Sequence, residues 1–232
     1  MNKFITFEGI DACGKTTQIN LLSDFLKIKK NKNLIVREPG GTQISEKIRN
    51  LLLDNNNNIS DETETLLFLS ARSQLINEII MKNINKNNFT LCDRYIDSTV
   101  AYQGYGRGLS LDQIQILNSF ATRGIKPDLT FILDIEVSES MIRLGGKKDR
   151  MEESGIEFLE KVRYGYQNLA KTSEDRFRFI NCMNRDIKDI NEEELKIINT
   201  FDISGRKSPL QWNSIYLQQM SDGTVQKLMK IK

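Results

Sequence analysis

The sequence predicts a three-layer α/β fold in which a five-stranded parallel sheet is covered by helices on both faces. Five short apolar runs have the length and composition of buried strands. Longer segments between them carry apolar residues at helical spacing. Strands that alternate with helices favour a parallel sheet, because each helix returns the chain to the starting edge of the sheet. The predicted strands are Phe4–Phe7, Leu34–Val36, Phe89–Cys92, Leu129–Asp134 and Phe177–Ile180.

Helices are predicted where apolar residues recur every three or four positions. In the first of these segments, Ile19, Leu22 and Leu26 would share one face of a helix. Four further segments show the same period. The predicted helices are Lys15–Lys29, Ile44–Leu53, Glu62–Met81, Leu111–Thr122 and Ile156–Lys171.

The chain has 232 residues, enough for one α/β domain with a substantial core. We expect a single domain over residues 1–203. After about Ile203, Ser204, Gly205 and Pro209 interrupt the helical pattern, and only scattered apolar residues follow. Residues 204–232 are therefore interpreted as a C-terminal extension, to which the sequence assigns no role.

Composition excludes several classes of protein. The chain contains no histidine, which excludes Ser-His-Asp and Cys-His nucleophiles and HExxH metalloproteases. The net charge is only +2, so a nucleic-acid partner is not expected. No apolar run approaches the ~18 residues of a membrane helix, and no signal-peptide pattern precedes Phe4, so a membrane partner is not expected either. Cys13, Cys92 and Cys182 lack CxxC spacing and predict neither a disulfide framework nor a zinc site, which favours a cytoplasmic location.

A phosphate-binding loop is predicted between the first strand and the first helix. Residues 9–16 read Gly-Ile-Asp-Ala-Cys-Gly-Lys-Thr and satisfy the GxxxxGK[ST] pattern, which assigns the sheet to the P-loop NTPase fold. Glycines let backbone N–H groups converge on phosphate oxygens, and the helix N-terminus adds partial positive charge. Lys15 would reach the β and γ phosphates of ATP, and Thr16 would offer its hydroxyl to Mg²⁺. The residues expected to bind ATP are Gly9, Ile10, Asp11, Ala12, Cys13, Gly14, Lys15, Thr16 and Thr17.

Further polar clusters flank three other predicted strands. Arg37–Thr42 follows the second strand, Asp93–Tyr95 follows the third, and Lys126–Asp128 precedes the fourth. Doubly wound sheets bind ligands at the carboxyl ends of their strands. Asp93 has the placement of an acid that holds Mg²⁺ through water, and Arg94 can reach a phosphate with its fork of donors. An ordinary surface ion pair is the alternative for these two residues.

Three segments together resemble the bacterial thymidylate kinases, which are P-loop nucleoside monophosphate kinases. The segments are Phe7–Asp11, Arg37–Thr42 and Asp93–Gly104, and the resemblance spans roughly residues 3 to 200. It implies an enzyme that phosphorylates dTMP to dTDP, in dTTP synthesis, with ATP and Mg²⁺ as cofactors. It also implies a homodimer, although no stripe in the sequence locates an interface.

The resemblance implies how the base and sugar of dTMP are bound. Phe68 would stack on the thymine ring, and Arg72 would donate to its carbonyl edge; a spacing of four places both on one helical face. Thr99 and Gln103 would contact the base. Tyr102 would crowd the 2′ position and so select deoxyribose. For Phe68 the alternative is core packing, since its neighbours are apolar.

The resemblance likewise implies how the sugar hydroxyl and the phosphate of dTMP are held. Asp11 would accept a hydrogen bond from the 3′-hydroxyl. Glu38 would orient the acceptor phosphate and a metal-bound water, while Arg49 and Arg94 would bind the 5′-phosphate.

Residues 143–153 resemble the lid that closes over ATP in the bacterial enzymes, and they include the basic pair Lys147–Lys148. The loop carries Ala12 and Cys13 where some relatives have an arginine, so Arg143 would neutralise transition-state charge instead. The chain also departs from the family at Ala12, where glycine is usual. A solvated run of charges is the alternative for the lid. The residues expected to act in catalysis are Lys15, Asp93, Arg94 and Arg143, and those expected to hold Mg²⁺ are Thr16 and Asp93.

The residues alone leave three alternatives open. The first is a kinase for another monophosphate, such as dCMP, UMP or AMP, on the same architecture. The second is a P-loop switch protein that hydrolyses nucleotide slowly to change partners. The third is a scaffold that keeps the fold without catalysis.

Overall fold

A computed structural model of the protein describes residues 3–84, 86, 88–145, 149–172, 175–200, 215–219 and 225–229. The chain divides into two compact units, Met1–Leu195 and Lys196–Lys232. The first unit contains a five-stranded sheet. In the second, strands β6 (Ile215–Gln219) and β7 (Val225–Met229) pair antiparallel.

The five strands of the large sheet are all parallel and lie in the order β2-β3-β1-β4-β5. Side chains of β1 and β4 are buried almost throughout, which explains why both strands are mainly apolar. The buried hydroxyls of Thr6 and Thr130 hydrogen-bond to each other at 2.8 Å. All five predicted strands are confirmed to within one residue at each end. The strands are β1 (Lys3–Glu8), β2 (Asn33–Arg37), β3 (Phe89–Asp93), β4 (Leu129–Asp134) and β5 (Phe177–Asn181).

Helices connect the strands and cover the sheet, as predicted. The predicted helix Glu62–Met81 is interrupted, because a π turn at Ile76–Ile80 separates α3 from α4. A second π segment, Val100–Gly106, continues α5. The sequence patterns missed α5, α7 and α9. The helices are α1 (Lys15–Ile28), α2 (Gln43–Leu53), α3 (Asp61–Leu75), α4 (Met81–Ile84), α5 (Ile96–Thr99), α6 (Leu111–Thr122), α7 (Val137–Leu144), α8 (Ile156–Lys171) and α9 (Ile187–Thr200).

The start of α1 differs from the starts of three other helices. Thr42, Ser60 and Ser110 each cap a helix by accepting a hydrogen bond from a backbone N–H in its first turn. Helix α1 instead follows Gly14, at φ 103°, and has no side-chain cap. Its first N–H groups are therefore available to an anion.

A core cluster fixes the long helix α3 and its π turn against the sheet. Leu75, Ile76 and Ile80 pack with Phe4 of β1 and with Tyr95, which follows β3. This packing holds the preceding turns of α3 beside the carboxyl ends of β2 and β3. None of the helices among the described residues is both long and apolar enough to cross a membrane.

Parts of two expectations lie outside the described residues. In the expected lid these are residues 146–148, which include Lys147–Lys148. In the expected C-terminal extension they are residues 201–214, 220–224 and 230–232, while β6 and β7 are described. Neither strand was predicted, because their apolar residues are few and flanked by polar ones.

Candidate active site

A cavity lies at the carboxyl ends of the strands, and every residue predicted to bind dTMP lines it. We call it the acceptor cavity. The predicted residues that line it are Asp11, Glu38, Arg49, Phe68, Arg72, Arg94, Thr99, Tyr102 and Gln103. Sequence reasoning missed Pro39, Leu53, Ser98, Asp149 and Met151, which line it as well.

A second cavity lies over the phosphate loop, and we call it the donor cavity. The loop residues that line it are Asp11, Ala12 and Gly14–Thr17, and both Asp93 and Arg143 also line it. Three other loop residues do not. Gly9, Ile10 and Cys13 are buried behind the loop, where they shape its path.

Four residues line both cavities: Asp11, Glu38, Arg49 and Arg94. We call them the shared wall. A group bound in one cavity would approach a group bound in the other across this wall. The two acids and two arginines therefore stand where a group would pass between two ligands.

The phosphate loop has the backbone geometry that its glycines predict. Gly9 lies at φ 137°, and an added Cβ would come within 2.3 Å of the Leu133 carbonyl oxygen. Ala12 lies at φ 59°, in the left-handed region that favours glycine. The Nζ of Lys15 donates to the carbonyl oxygens of Gly9 and Ile10, at 3.1 and 2.9 Å. The ammonium group is thus held beside the concave side of the loop.

The two residues predicted to hold Mg²⁺ are in direct contact. The Thr16 hydroxyl donates to Asp93 Oδ2 at 2.9 Å. Hydroxyl and carboxylate oxygens are the ligands that Mg²⁺ prefers, usually alongside water and phosphate oxygens. No group of three or more Cys, Asp or Glu side chains with metal-binding geometry exists among the described residues. The pair therefore fits a nucleotide-bound magnesium ion rather than an all-protein metal centre.

Arg94 is held in the shared wall by several partners. Its backbone adopts the left-handed region at φ 69°. One terminal nitrogen donates to Asp11 Oδ1 at 2.5 Å and to the Tyr102 hydroxyl at 3.1 Å. Burial alone would raise the pKa of Asp11, but the charges of Arg94 and Lys15 lower it to about 2. Asp11 is therefore ionised at neutral pH and keeps Arg94 in place.

A buried acid behind Arg94 was missed by the sequence reasoning. Glu8 accepts hydrogen bonds from the Tyr95 backbone N–H at 2.7 Å, the Ser98 hydroxyl at 2.6 Å and the Tyr166 hydroxyl at 2.9 Å. Burial, together with the charge of Asp97, raises the pKa of Glu8 to about 7. Ser98 and Tyr166 in turn accept from Arg94, so Glu8 supports the arginine through two hydroxyl groups. Its position immediately before the loop was the available signal.

Arg72 is buried, and most of its guanidinium N–H groups donate to other residues of the protein. Its side chain is 2% exposed. Its Nε donates to Glu38 Oε2 at 2.6 Å and one terminal nitrogen donates to Thr99 and Asn118. The other terminal nitrogen donates to the Tyr95 carbonyl oxygen. Since a guanidinium carries five N–H groups, one is left to meet a ligand.

Glu38 has one oxygen that is not satisfied by protein. Its Oε1 is buried and lacks a hydrogen-bond partner, whereas Oε2 accepts from Arg72. Burial raises the pKa of Glu38 to about 7, although Arg72 acts in the opposite direction. An unpaired buried acceptor on the shared wall indicates that a donor is supplied from outside the protein.

The expected lid segment reaches both cavities. Arg143 lies at the donor cavity, 3.5 Å from the Ala12 carbonyl oxygen, and pairs with Glu139 at 2.7 Å. At the other end of the segment, Asp149 and Met151 line the acceptor cavity.

Comparison with known proteins agrees with this geometry. The family profile described as thymidylate kinase matches residues 7–193. This chain belongs to the thymidylate kinase family. Two curated thymidylate kinases are similar to it. The enzyme of Thermoanaerobacter sp. (strain X514) is 44% identical, and the match covers 86% of this chain and 98% of that enzyme. The enzyme of Thermosipho africanus (strain TCF52B) is 47% identical, and the match covers 83% of this chain and 99% of that enzyme.

A solved structure supports the same assignment. The crystal structure of thymidylate kinase from Ehrlichia chaffeensis matches this chain with a TM-score of 0.71 and 35% identity. The match covers 85% of this chain and 98% of that one. The predicted family and fold are therefore confirmed.

Several supporting residues in this thymidylate kinase family member could not be found from the motifs that carry the resemblance. Asn118 and Tyr166 come from helices that the motifs do not include. Glu64 had a recognisable signal. It precedes Phe68 and Arg72 at a constant spacing of four, which places all three on one face of α3.

Proposed function

We propose that this member of the thymidylate kinase family transfers the γ-phosphoryl group of ATP to dTMP and releases dTDP and ADP. One observation carries the proposal. Two cavities, one over a phosphate loop and one lined by the residues expected to bind dTMP, meet at the shared wall. In-line transfer needs two phosphate sites that face each other in this way.

The donor cavity would hold the triphosphate of ATP. The uncapped N-terminus of α1 and the loop N–H groups present partial positive charge to the phosphates. Lys15 would move its ammonium group from the carbonyl oxygens of Gly9 and Ile10 to the β and γ phosphates. Arg143 would approach the same phosphates from α7.

Magnesium would be held between Thr16 and Asp93. When bound, the ion neutralises charge on the β and γ phosphates. Thr16 would offer its hydroxyl oxygen to the ion, so its proton would no longer be donated to Asp93. Asp93 would hold the ion through water.

The acceptor cavity would bind dTMP with its phosphate toward the shared wall. Phe68 would stack on thymine, and the remaining N–H of Arg72 would meet a base carbonyl. Tyr102, whose hydroxyl donates to Asp11 at 3.0 Å, would lie beside the sugar. Arg49 and Arg94 would bind the 5′-phosphate.

Transfer would need no general base. A phosphate monoester has a second pKa near 6 and is already mostly dianionic at neutral pH. The residues instead position the reactants and neutralise charge around the transferred group. Lys15, Arg94 and Arg143 would provide that neutralisation.

We also propose that the protein acts as a homodimer in the cytoplasm. Ile116 and Phe120, one turn apart on α6, are 69% and 83% exposed. Leu66, on the neighbouring α3, is 53% exposed. Such apolar surface favours association. The three free cysteines fit a reducing compartment.

The test measures ADP release from ATP in the presence of dTMP, dUMP, dCMP, UMP or AMP in turn. We expect turnover with dTMP, weaker turnover with dUMP, and loss of about 100-fold or more in Lys15→Ala. Turnover that does not depend on any monophosphate would support a switch protein instead. A preference for another monophosphate would overturn the choice of acceptor alone.

A further inference from the structure

The strongest unexplained feature of the site is a buried carboxylate beside the acceptor cavity. Glu64 lies on α3, four residues before Phe68, and its side chain is 0% exposed. It does not line either cavity. Nevertheless, it is ionised in the fold, because hydrogen bonds from Arg107 and Gln103 outweigh the effect of burial and lower its pKa.

Glu64 accepts four hydrogen bonds or ion-pair contacts from three side chains. Its Oε1 accepts from Gln103 Nε2 at 3.0 Å and from Arg107 Nε at 3.2 Å. Its Oε2 accepts from a terminal nitrogen of Arg107 at 3.0 Å and pairs with Arg150 at 2.7 Å. Both carboxylate oxygens are therefore committed to protein partners, and none of their capacity is left for a ligand.

The contact with Gln103 fixes the direction of a side-chain amide. Gln103 lines the acceptor cavity, and its amide can present either a donor or an acceptor to a ligand. Because a carboxylate only accepts hydrogen bonds, Glu64 requires the NH₂ group of Gln103 to face it. The amide oxygen is then the atom available to a base. Thymine carries an N3–H donor that suits this oxygen, whereas N3 of cytosine is an acceptor.

The contacts with the two arginines fix the segment 149–154. Arg150 also donates from Nε to the Leu52 carbonyl oxygen at 2.7 Å, and Arg107 donates to Ser154 Oγ at 3.2 Å. This segment contributes Asp149 and Met151 to the acceptor cavity. Glu64 thus connects the wall of the cavity to the segment that covers it.

We propose that Glu64 is a positioning residue for dTMP, which orients the Gln103 amide and anchors residues 149–154 over the acceptor cavity. The inference rests on the proposed function, because it assigns this cavity to dTMP. It makes Glu64 a determinant of base selectivity although it does not touch the base.

The experiment uses Glu64→Gln, which keeps the shape of the side chain and removes its charge. The neutral amide of the new glutamine can donate as well as accept, so the Gln103 amide can turn around and present its NH₂ group to the cavity. We expect the KM for dTMP to rise about ten-fold and the kcat/KM ratio of dTMP over dCMP to fall about ten-fold. The KM for ATP should stay within about two-fold, since no contact of Glu64 reaches the donor cavity.

Asp134→Asn is the matched control. It weakens a comparable two-bond ion pair with Arg163, at 2.9 and 2.8 Å, and Asp134 lines neither cavity. The control should leave the KM for dTMP and the selectivity ratio unchanged. If Glu64→Gln changes neither quantity, or changes them no more than the control does, the proposal is wrong.

Arg150→Met separates the anchoring role from general stability. It should raise the KM for dTMP in the wild-type background and add little in the Glu64→Gln background, because both substitutions disrupt the same ion pair between Arg150 and Glu64. Full additivity would overturn the anchoring role. Should Glu64→Gln fail to fold, Arg150→Met alone tests the anchoring role, and an unchanged KM for dTMP in that variant overturns it. A wild-type protein that does not phosphorylate dTMP would instead refute the proposed function.

Discussion

Replacing Arg72 by methionine tests the buried network beneath the acceptor cavity. Arg72 is 2% exposed, and its partner Glu38 is buried to a similar degree. Removing the arginine leaves a buried carboxylate without its counter-charge. It also removes the hydrogen-bond donor of Thr99, Asn118 and the Tyr95 carbonyl oxygen. Breaking a buried pair in this way typically destabilises a protein by about 3–5 kcal/mol. For a unit of this size, that corresponds to a decrease in Tm of roughly 6–20 °C.

The pH dependence of this loss follows from Glu38. Burial already raises the pKa of Glu38 to about 7, from an ordinary value of 4.5, and Arg72 acts against that rise. Without Arg72 the folded-state pKa increases further, so the folded protein keeps a proton that the unfolded chain releases. Stability therefore falls as pH rises through this window. The deficit of Arg72→Met should be larger at about pH 8.5 than at about pH 6.

Urea denaturation followed by circular dichroism measures both effects. The double variant Arg72→Met/Glu38→Gln is the control, since it removes the carboxylate along with its partner. It should recover at least about half of the lost unfolding free energy. If the double variant is as unstable as Arg72→Met, or if the deficit does not depend on pH, the ion pair is not the source of the stability. Binding of dTMP should be lost in both variants, because both lack the remaining N–H of Arg72.

Three further predictions concern other parts of the chain. Ala12→Gly should raise the free energy of unfolding by about 1 kcal/mol, because Ala12 lies at φ 59°; a lower value in urea denaturation would contradict this. Because the folded-state pKa of Glu8 is raised to about 7, the free energy of unfolding of the wild type should fall as pH rises from about 5 to 7. Glu8→Gln should flatten this slope, and an unchanged slope would exclude Glu8 as its source. Phe120→Glu should give monomers at concentrations where the wild type sediments as a dimer, whereas a monomeric wild type would remove the proposed interface.

The central strands β1, β3 and β4 of the large sheet could be predicted because their side chains are buried on both faces. Such strands form short, mainly apolar runs, as Leu129–Asp134 does. The segment that continues α5 could not be predicted in the same way. Val100–Gly106 contains two glycines and has a π geometry, so its apolar residues do not follow the usual helical period.

The candidate site was predictable where a motif places its residues at a fixed spacing. The phosphate loop and the pair Phe68 and Arg72 are examples. Glu64 shares a helical face with Phe68 and Arg72, but this spacing does not reveal its role, which depends on Arg107 and Arg150, distant in sequence. A carboxylate on a helix is usually solvated, and only the tertiary contacts show that this one is enclosed.

Under the proposed function, the shared wall makes the affinities of ATP and dTMP interdependent. A triphosphate placed against Arg49 and Arg94 from one side changes the electric field that a monophosphate meets from the other. Thermodynamic linkage makes this influence mutual: the factor by which ATP alters the dissociation constant of dTMP equals the factor by which dTMP alters that of ATP. A substitution at Arg94 thus changes the coupling free energy between the two ligands. A titration with one ligand alone would assign this change to the affinity of that ligand.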